Sequence, residues 1–558
     1  MPPARPGPSS NGRSTDPIGA LAGAVRSAAQ ELGGAAAATA GAKLERPPRA
    51  DFGDFSSNAP MLLAPTMREQ PRAVAERLGA LVSEALGPAL ERTEVAGPGF
   101  LNLFLADAWF RDALGAALAA GDDYGRAPAT GERHQVEFVS ANPTGPITVA
   151  SGRHAAWGDS LARILEMAGH EVDREYYVND HGSQVVRFGE SIQARARGEE
   201  PPEDGYRGAY VVELAEQLGD APAVAEADSA EIAQRGVEQM VANLRVTLER
   251  FRVGFDRFFS ERSLHESGAL DRTVALLEER GLVYRHEGAV WLRTTDFGDD
   301  KDRVLQRSTG EYTYFAADIA YHQDKRERGY RRIIDLWGAD HHGHVARMHA
   351  AWRALGGEPD ELELLIMQLV NLVERGQRVQ MSKRQGEFVT LDDLLDDIGV
   401  DATRYFMLER SHDTTLDLDL TKARERSQDN PVYYVQYAHA RIASILRKAG
   451  ETRVEAALAA DLGTRSDALH PSERDLLKRL LEFPGEVAFA AERRAPHRLT
   501  AYVHDAAQHF SAFYRDCRVA GAAEEGEDED FRIALSVQAK RVIAASLGVL
   551  GVEAPEHM

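Results

Sequence analysis

Hydrophobic residues recur at helical spacing through much of the chain, and short apolar runs bounded by turn residues separate the helical stretches. Ala, Leu and Val at partly helical spacing predict one or two helices over 17–44. A Gly/Pro turn followed by FLNLFL predicts a short strand at 100–105. With further helices from 67 and over 73–85, these elements predict a small N-terminal α+β module over 17–110.

The middle of the chain alternates apolar runs with helical stretches, as is typical of a doubly wound parallel sheet. A strand is predicted at 135–139, followed by an Asn-Pro-Thr-Gly-Pro turn and a helix over about 151–167. The pattern predicts an α/β domain over 130–405 with a charged helical insertion at about 185–295. Its other predicted strands are EVDREYYV (171–178), RIIDLW (332–337) and LELLIMQLV (362–370).

Both ends of the chain differ from this middle part. From about residue 393 the pattern is helical, which predicts an α-helical bundle over 406–558. Residues 1–16 are rich in Pro, Ser and Gly, which predicts a disordered leader and not a secretory signal. No apolar run approaches the roughly 18 residues of a membrane-spanning helix, so we expect no membrane association and a cytoplasmic location.

Composition narrows the class of protein. The chain has 558 residues, of which 43% are hydrophobic and 27% charged, and this excludes a disordered or fibrous protein. A single cysteine, Cys517, excludes an internal disulfide and any Cys-rich zinc site. The 65 Lys and Arg against 88 Asp and Glu give a net charge of −23, which argues against a general nucleic-acid coat. A local basic face on an acidic body is still compatible with this balance.

Candidate binding and catalytic residues lie directly after three of the predicted strands or their turns. In an open α/β sheet, ligands bind at the carboxyl ends of the strands and near helix N-termini. The segments that meet this description are VEFVSANPTGPITVASGRH (136–154), WGADHHGH (337–344) and VQMSKRQG (379–386).

Seven segments, in order along most of the chain, resemble the signatures of arginyl-tRNA synthetase, a class I aminoacyl-tRNA synthetase. They are VEFVSANPTGP, REYYVNDHGSQV, TTDFGDDKDRVLQRSTGEYTYFAADIAYHQDK, WGADHHGHVARM, QMSKRQGEFVTLDDLL, DATRYFML and NPVYYVQYAHARI. The resemblance implies a Rossmann catalytic domain, an N-terminal module that contacts the tRNA elbow and a C-terminal helical anticodon-binding domain.

The resemblance also implies the reaction and its partners. L-Arginine is activated by ATP to the adenylate and then transferred to the 3′ end of tRNA(Arg). ATP enters with Mg²⁺ as a substrate complex, and no permanent cofactor is implied. The family suggests a monomer.

The arginine site is implied at residues that match the family pattern. Tyr314 and Asp318 are spaced i, i+4 and so share one helix face. A carboxylate is the natural partner of a forked guanidinium, and lysine cannot copy that geometry, so we expect no editing domain. The alternatives are that Glu137 is a strand carboxylate facing water and that Tyr314 packs beside a helix carboxylate. The implied arginine-binding residues are Glu137, Ser140, Asn142, Tyr314, Asp318 and His342.

The ATP site is implied around two loops. Lys383, in a Met-Ser-Lys-Arg segment similar to the second class I signature, would neutralise charge that develops on the ATP phosphates. Gln380 stands where the first lysine of that signature usually falls. The spacing of His341, His342 and His344 could suggest a metal, but we expect none. The implied ATP-binding residues are Ala150, Ser151, Gly338, Asp340, His341, Met381, Ser382 and Lys383.

The first class I signature, of the type His-Ile-Gly-His, is replaced. Its slot reads Thr148-Val149-Ala150-Ser151, so both histidines and the glycine are absent. We expect Thr148 and Ser151 to act with Lys383 in catalysis, with Ser151 as the helix N-cap and His154 as a partial substitute. Two hypotheses follow: a working arginine–tRNA ligase with a variant ATP site, or a catalytically silent homologue that binds tRNA or arginine as a regulator.

Overall fold

A four-stranded sheet and four helices form the N-terminal part of the molecule. The computed structural model describes residues 16–34, 43–379, 389–464 and 468–558, so most of the predicted leader lies outside the described residues. The elements of this part are α1 (Pro17–Gly33), β1 (Leu44–Glu45), β2 (Phe55–Ser57), α2 (Ala59–Met67), α3 (Pro71–Leu86), β3 (Leu90–Ala96), β4 (Phe100–Leu105) and α4 (Asp107–Ala119). The sheet is antiparallel in the order β1-β2-β4-β3, and α3 packs on it through buried Val74 and Leu78.

The middle of the chain is an α/β unit. Its elements are β5 (Arg133–Glu137), α5 (Val149–Met167), β6 (Glu171–Val178), α6 (Ser183–Ala196), α7 (Ala209–Leu218), α8 (Ala221–Glu226), α9 (Ser229–Arg250), β7 (Arg257–Ser260), α10 (Glu261–Glu266), α11 (Ala269–Glu279), β8 (Val283–His286), β9 (Ala289–Leu292), β10 (Arg303–Gln306), α12 (Tyr314–Glu327), β11 (Arg332–Gly338), α13 (Val345–Ala354) and β12 (Leu362–Met367). Five of these strands form one parallel sheet in the order β12-β11-β5-β6-β7, which confirms the predicted α/β class.

The predicted helical insertion is shorter than expected. Its first run of helices ends at Arg250, and the strand β7 that follows pairs with β6 at the edge of the parallel sheet. After α10 and α11, a separate antiparallel sheet in the order β10-β9-β8 lies within 283–306. The sequence pattern misses β7 because this strand has only four residues and lies between charged segments.

The C-terminal part is helical except for one small sheet. Its elements are β13 (Val370–Glu374), β14 (Gln377–Arg378), α14 (Leu391–Met407), β15 (Leu416–Asp419), α15 (Leu420–Arg424), α16 (Pro431–Ala449), α17 (Glu451–Ala459), α18 (Pro471–Leu481), α19 (Phe483–Glu492), α20 (His497–Asp516) and α21 (Glu529–Leu550). The single strand predicted at 362–370 is therefore two, β12 and β13. The second joins the sheet β14-β13-β15, whose β15 interrupts the run predicted to be helical.

Helix α21 is long and apolar enough to cross a membrane by length and composition, which the sequence analysis did not anticipate. In its most apolar window 72% of the residues are buried inside the protein. Its neighbours α16, α17, α18 and α20 pack around it. Within the described residues, α21 is therefore the core helix of the C-terminal bundle.

Buried arginines tie α5 to the rest of the molecule. Arg404 donates to Asp159 on α5 at 2.6 Å, to the Phe251 carbonyl at 2.9 Å and to the Leu550 carbonyl at 2.8 Å. These bonds join α5 to the end of α9 and to the end of α21. Because a buried guanidinium is costly unless its donors are satisfied, these bonds fix the middle of α5, around Asp159, against α14.

Candidate active site

The loop after β5 is held in a strained conformation. Val139 and Ser140 both have positive φ, 69° and 38°, which side-chain-bearing residues rarely adopt. The Ser140 hydroxyl donates to Glu137 Oε1 at 2.8 Å and accepts from the Tyr177 backbone N–H at 3.1 Å. Strain of this kind costs about 1–3 kcal/mol per residue, and such residues cluster at functional sites.

Glu137, expected to contact the substrate, lies in a buried ion network. Lys325 on α12 donates to Glu137 Oε2 at 2.6 Å and to Asp335 Oδ1 at 2.7 Å. Burial alone would lower the pKa of Lys325, but these two carboxylates raise it above its usual value. Burial raises the pKa of Glu137, which Lys325 opposes. Glu137 therefore does not face water, and each of its oxygens has a protein partner.

The register of the sheet explains why acids meet here. Asp335 on β11 lies opposite Glu137 on β5, and Glu137 lies opposite Glu175 on β6. Arg328 pairs with Glu175 through both of its terminal nitrogens, at 2.5 and 2.9 Å. Three adjacent strands thus present three carboxylates to the cations of α12. These ion pairs stabilise the sheet next to its carboxyl edge.

Helix α12 carries two more of the residues that were expected to bind arginine, Tyr314 and Asp318. Tyr314 is 65% exposed, and a Cβ placed on Gly182 would lie 3.7 Å from its hydroxyl, so the ring reaches over the end of β6. Asp318, one turn along, points inward. Burial raises the pKa of Asp318 to about 6, with the charge on Glu137 adding to the effect and His322 opposing it.

Two acids that the sequence analysis missed lie beside Asp318. Glu261 is only 3% exposed, and burial raises its pKa to about 7, with the charges on Asp318 and Asp180 adding to the effect. The neighbouring Tyr177 hydroxyl opposes this rise in the pKa of Glu261. Asp180 accepts from Ser260 Oγ at 2.6 Å and from the Arg262 backbone N–H at 2.9 Å. Asp318, Glu261 and Asp180 are called the acid pocket below, and their negative charge suits a cationic side chain with several donors.

The other side of this edge is the variant signature slot. Thr148, and not Ser151, is the N-cap of α5, because its Oγ1 accepts from the Ser151 backbone N–H at 3.3 Å. The two hydroxyls lie 3.2 Å apart. Val149 donates to the Val389 carbonyl and Leu391 donates to the Ile147 carbonyl, at 3.4 and 2.7 Å. The slot is therefore bonded to the chain that follows 380–388.

The loop after β11 carries the remaining expected residues. A Cβ on Gly338 would lie 2.6 Å from Asp340 Oδ1, so the Asp340 side chain lies directly over this glycine. His341 and His342 are exposed in the turn Ala339–His344, and His341 Nε2 lies 3.4 Å from Asp340. His341 lies close enough to Asp318 to lower the pKa of that carboxyl, so this loop lies beside the acid pocket. Asn142 is also exposed at this edge, 3.4 Å from the Asn179 amide nitrogen.

Known families match three parts of the chain. Residues 19–105 match the family described as "Arginyl tRNA synthetase N terminal domain", 206–444 match "tRNA synthetases class I (R), catalytic domain" and 435–558 match "DALR anticodon binding domain". A protein of Frankia alni named arginine–tRNA ligase is 48% identical over 531 residues, which are 92% of this chain and 94% of that protein. The chain belongs to the arginyl-tRNA synthetase family.

Other relatives agree with this assignment. An arginine–tRNA ligase of Carboxydothermus hydrogenoformans is 43% identical and covers 97% of this chain and 98% of its own length. The solved structure of Thermus thermophilus arginyl-tRNA synthetase has a TM-score of 0.75 and 26% identity, and covers 97% of this chain and 99% of that one. The resemblance found in the sequence is thereby confirmed. The synthetase is an aminoacyl-tRNA ligase of class I, and ATP is a substrate of that class.

Part of the expected site cannot be placed in this synthetase. Met381, Ser382 and Lys383 lie outside the described residues, as does Gln380. His154 lies on α5 near Asp340 and His341, and burial lowers its pKa to about 4. An imidazole with so low a pKa is neutral at pH 7 and brings no positive charge to a phosphate. The roles of these residues stay predictions.

Proposed function

We propose that this chain is an arginine–tRNA ligase that activates L-arginine with Mg²⁺-bound ATP and transfers the arginyl group to the 3′ end of tRNA(Arg). We also propose that it works as a cytoplasmic monomer. Its three domains are then the N-terminal module at 17–110, the catalytic domain at 130–405 and the helical domain at 406–558. The observation that carries the proposal is the pocket of Asp318 and Glu261 at the carboxyl edge of the parallel sheet, next to the slot at the start of α5.

In the first step the pocket binds the side chain of arginine. The guanidinium donates to Asp318 and Glu261, and Tyr314 covers it from the solvent side. Lys325 and Ser140 hold Glu137, so Glu137 acts by shaping the loop through Ser140 and Asn142. The α-amino and α-carboxylate groups then lie toward the ATP loops.

In the second step a carboxylate oxygen of arginine attacks the α-phosphorus of ATP. A new P–O bond forms to give arginyl-adenylate, the bond to the β,γ-phosphates breaks, and pyrophosphate leaves with its Mg²⁺. Lys383, the hydroxyls of Thr148 and Ser151 and the backbone N–H groups at the start of α5 stabilise the charge on the phosphates. A hydroxyl of the terminal adenosine of tRNA then attacks the activated carbonyl, which forms the ester and releases AMP.

The helical domain offers a surface suited to RNA. Tyr433 and Tyr437 on α16 stack with ring centres 6.2 Å apart and planes 7° apart. The Arg441 guanidinium lies over Tyr437 and over Tyr514 of α20, at 4.6 and 5.1 Å. Aromatic and guanidinium planes of this kind stack unpaired bases. Arg447, on the same helix, donates to the Glu556 carbonyl at 3.2 Å.

The test of this proposal is arginine-dependent exchange of labelled pyrophosphate into ATP in the presence of tRNA(Arg), followed by charging of that tRNA. We expect exchange with arginine and none with lysine, which cannot satisfy two carboxylates with a forked set of donors. Retained tRNA binding without any exchange would reject the proposal and establish the silent regulator.

Acidification should weaken arginine binding before it unfolds the protein. Burial raises the pKa of Asp318 to about 6 and that of Glu261 to about 7, and both carboxylates must be ionised to pair with a guanidinium. Ionisation is complete above both values and is lost as pH falls through them. We therefore expect kcat/KM for arginine to fall about 20-fold from pH 8 to pH 6. The assignment would be contradicted if kcat/KM for arginine stayed constant from pH 8 to pH 6, or if it fell in the same way as kcat/KM for ATP.

Restoring a histidine in the slot should slow this synthetase. Ser151→His replaces a hydroxyl that lies 3.2 Å from the capping Thr148 with a larger ring, and so disturbs the start of α5. We expect exchange to slow by about fivefold, a loss comparable to that of a helix cap, about 1 kcal/mol. The matched variant Thr148→Ser keeps a capping hydroxyl and should exchange at close to the original rate. Faster pyrophosphate exchange by Ser151→His would mean that the sequence in this slot is a less active form of the class I signature.

A further inference from the structure

Arg153 is a buried cation that the reaction described above does not use. It lies on α5, two residues after Ser151 of the variant signature slot, and its side chain is fully buried. Its hydrogen-bond partners among the described residues are three backbone carbonyls and no carboxylate. Burial lowers the pKa of Arg153 to about 10, and the charge on Asp413 opposes this, so the guanidinium is still charged at pH 7.

The three bonds of this guanidinium join α5 to two other segments. Arg153 Nη1 donates to the Gln368 carbonyl at 2.8 Å and to the Thr414 carbonyl at 3.0 Å, and Nη2 donates to the Ser411 carbonyl at 2.8 Å. Gln368 directly follows β12, and Ser411 and Thr414 lie in the turn before β15. The Gln368 backbone N–H in turn donates to the His412 carbonyl at 2.7 Å. Arg153 therefore holds the point at which β12 passes into β13.

The strand β13 leads into the segment that contains Lys383. β13 pairs with β14, and the chain after β14 enters 380–388, which lies outside the described residues. The chain leaves this segment at Val389, and Val389 and Leu391 bond to the slot at the start of α5. Both ends of the segment are therefore held relative to the first two turns of α5, the first end through Arg153 and β13.

The neighbours of Arg153 on α5 pack closely on the same segments. A Cβ on Gly152 would lie 2.8 Å from Leu391 Cδ1, so this turn of the helix lies directly against α14. The Trp157 ring, one turn after Arg153, meets the His412 ring edge to face with centres 5.2 Å apart. Because the guanidinium is a rigid planar fork on a closely packed helix, it fixes the position of the carbonyls that it bonds.

We propose that Arg153 is a positioning residue of the ATP site, which sets the distance between the start of α5 and the segment that contains Lys383. The inference rests on the proposed function, in which both of these elements bind the ATP phosphates. Burying a charge against neutral carbonyls is a costly way to stabilise a fold. A misplacement of about 1 Å near the reacting groups, in contrast, can slow a reaction about 100-fold. Arg153 touches no substrate and acts through the two phosphate-binding elements.

The test compares Arg153→Lys with Arg404→Lys in the full-length chain. Lysine keeps the charge at position 153 but lacks the planar fork, so it cannot bond the same three carbonyls. Arg404 is the matched control, because it is also fully buried and also donates to two backbone carbonyls, but it holds α5 around Asp159, away from the slot. Calorimetry measures the melting temperature of each variant and its dissociation constants for Mg²⁺-bound ATP and for L-arginine.

We expect Arg153→Lys to weaken ATP binding by about tenfold and to slow pyrophosphate exchange at saturating ATP by about 100-fold. Its affinity for arginine should stay within about twofold, because the acid pocket lies on other elements. Arg404→Lys should lower the melting temperature at least as much and keep its affinity for ATP within about twofold. A purely structural role for Arg153 would lower the melting temperature without this selective loss of ATP affinity.

The inference is overturned if Arg153→Lys binds ATP as the original chain does, or if Arg404→Lys loses ATP affinity to the same degree. It is also overturned if Arg153→Lys loses affinity for arginine and ATP equally, because that result indicates general damage. An original chain that binds ATP without exchanging pyrophosphate would reject the proposed function alone. The ATP affinities of the two variants would still decide the role of Arg153, because they are measured without the exchange reaction.

Discussion

Asp318→Ala should raise the KM for arginine by roughly 30- to 5,000-fold while kcat changes little. The reason is that truncating one partner of a buried, hydrogen-bonded charge pair costs about 2–5 kcal/mol, and the lost contact is made equally in the ground state and the transition state. Glu261 would be left as a single carboxylate for a forked guanidinium. Steady-state pyrophosphate exchange with varied arginine measures the effect.

The control for this variant is Glu327→Ala. Glu327 is an exposed carboxylate on the same helix, so its removal changes the charge of α12 without reaching the pocket. We expect its KM for arginine to stay within about twofold, and both variants should keep the KM for ATP. If Asp318→Ala raised the KM for ATP as much as that for arginine, Asp318 would not be an arginine-binding residue.

Lys325→Met should cause the largest loss of stability of any single change in this region. Lys325 is fully buried between Glu137 and Asp335, and methionine would leave two buried carboxylates without their cation. Removing one partner of a buried ion pair costs about 3–5 kcal/mol. We expect the melting temperature of the α/β unit to fall by roughly 10 °C, measured by differential scanning calorimetry.

An exposed ion pair of the same length provides the comparison. Lys540 lies 2.6 Å from Glu556 with 28% of its side chain exposed, so Lys540→Met should cost less than about 1 kcal/mol. The account predicts a difference of several degrees between the two variants. Similar melting temperatures for Lys325→Met, Lys540→Met and the original chain would show that the buried network contributes little.

Local patterns predict most of the parallel sheet but not its edge. The strands β6 and β11 lie between turns and contain Val, Ile, Tyr and Trp, which favour strands, and the sequence places both within a residue or so of their observed ends. β7 joins the sheet only by pairing with β6, and four residues carry too little periodicity to reveal that pairing. Missing β7 also hid Glu261, which directly follows it at the carboxyl edge of the sheet.

Only part of the acid pocket can be predicted from the sequence, for a similar reason. Tyr314 and Asp318 are four residues apart on one helix, so local spacing relates them. Asp180 stands just after β6 at the carboxyl edge, a position from which it could have been inferred. Lys325 gives no such signal, because a lysine between an aspartate and an arginine reads as part of a solvated helix face. Its burial depends on Glu137, which lies 188 positions away in the chain.

The most direct measurement of the central claim is a crystal structure of this enzyme with bound L-arginine. The account predicts that the guanidinium lies between Asp318 and Glu261, with nitrogen-to-oxygen distances of about 2.7–2.9 Å to each carboxylate and the α-carboxylate directed toward Thr148 and Ser151. A guanidinium that points into solvent, away from both acids, would contradict it.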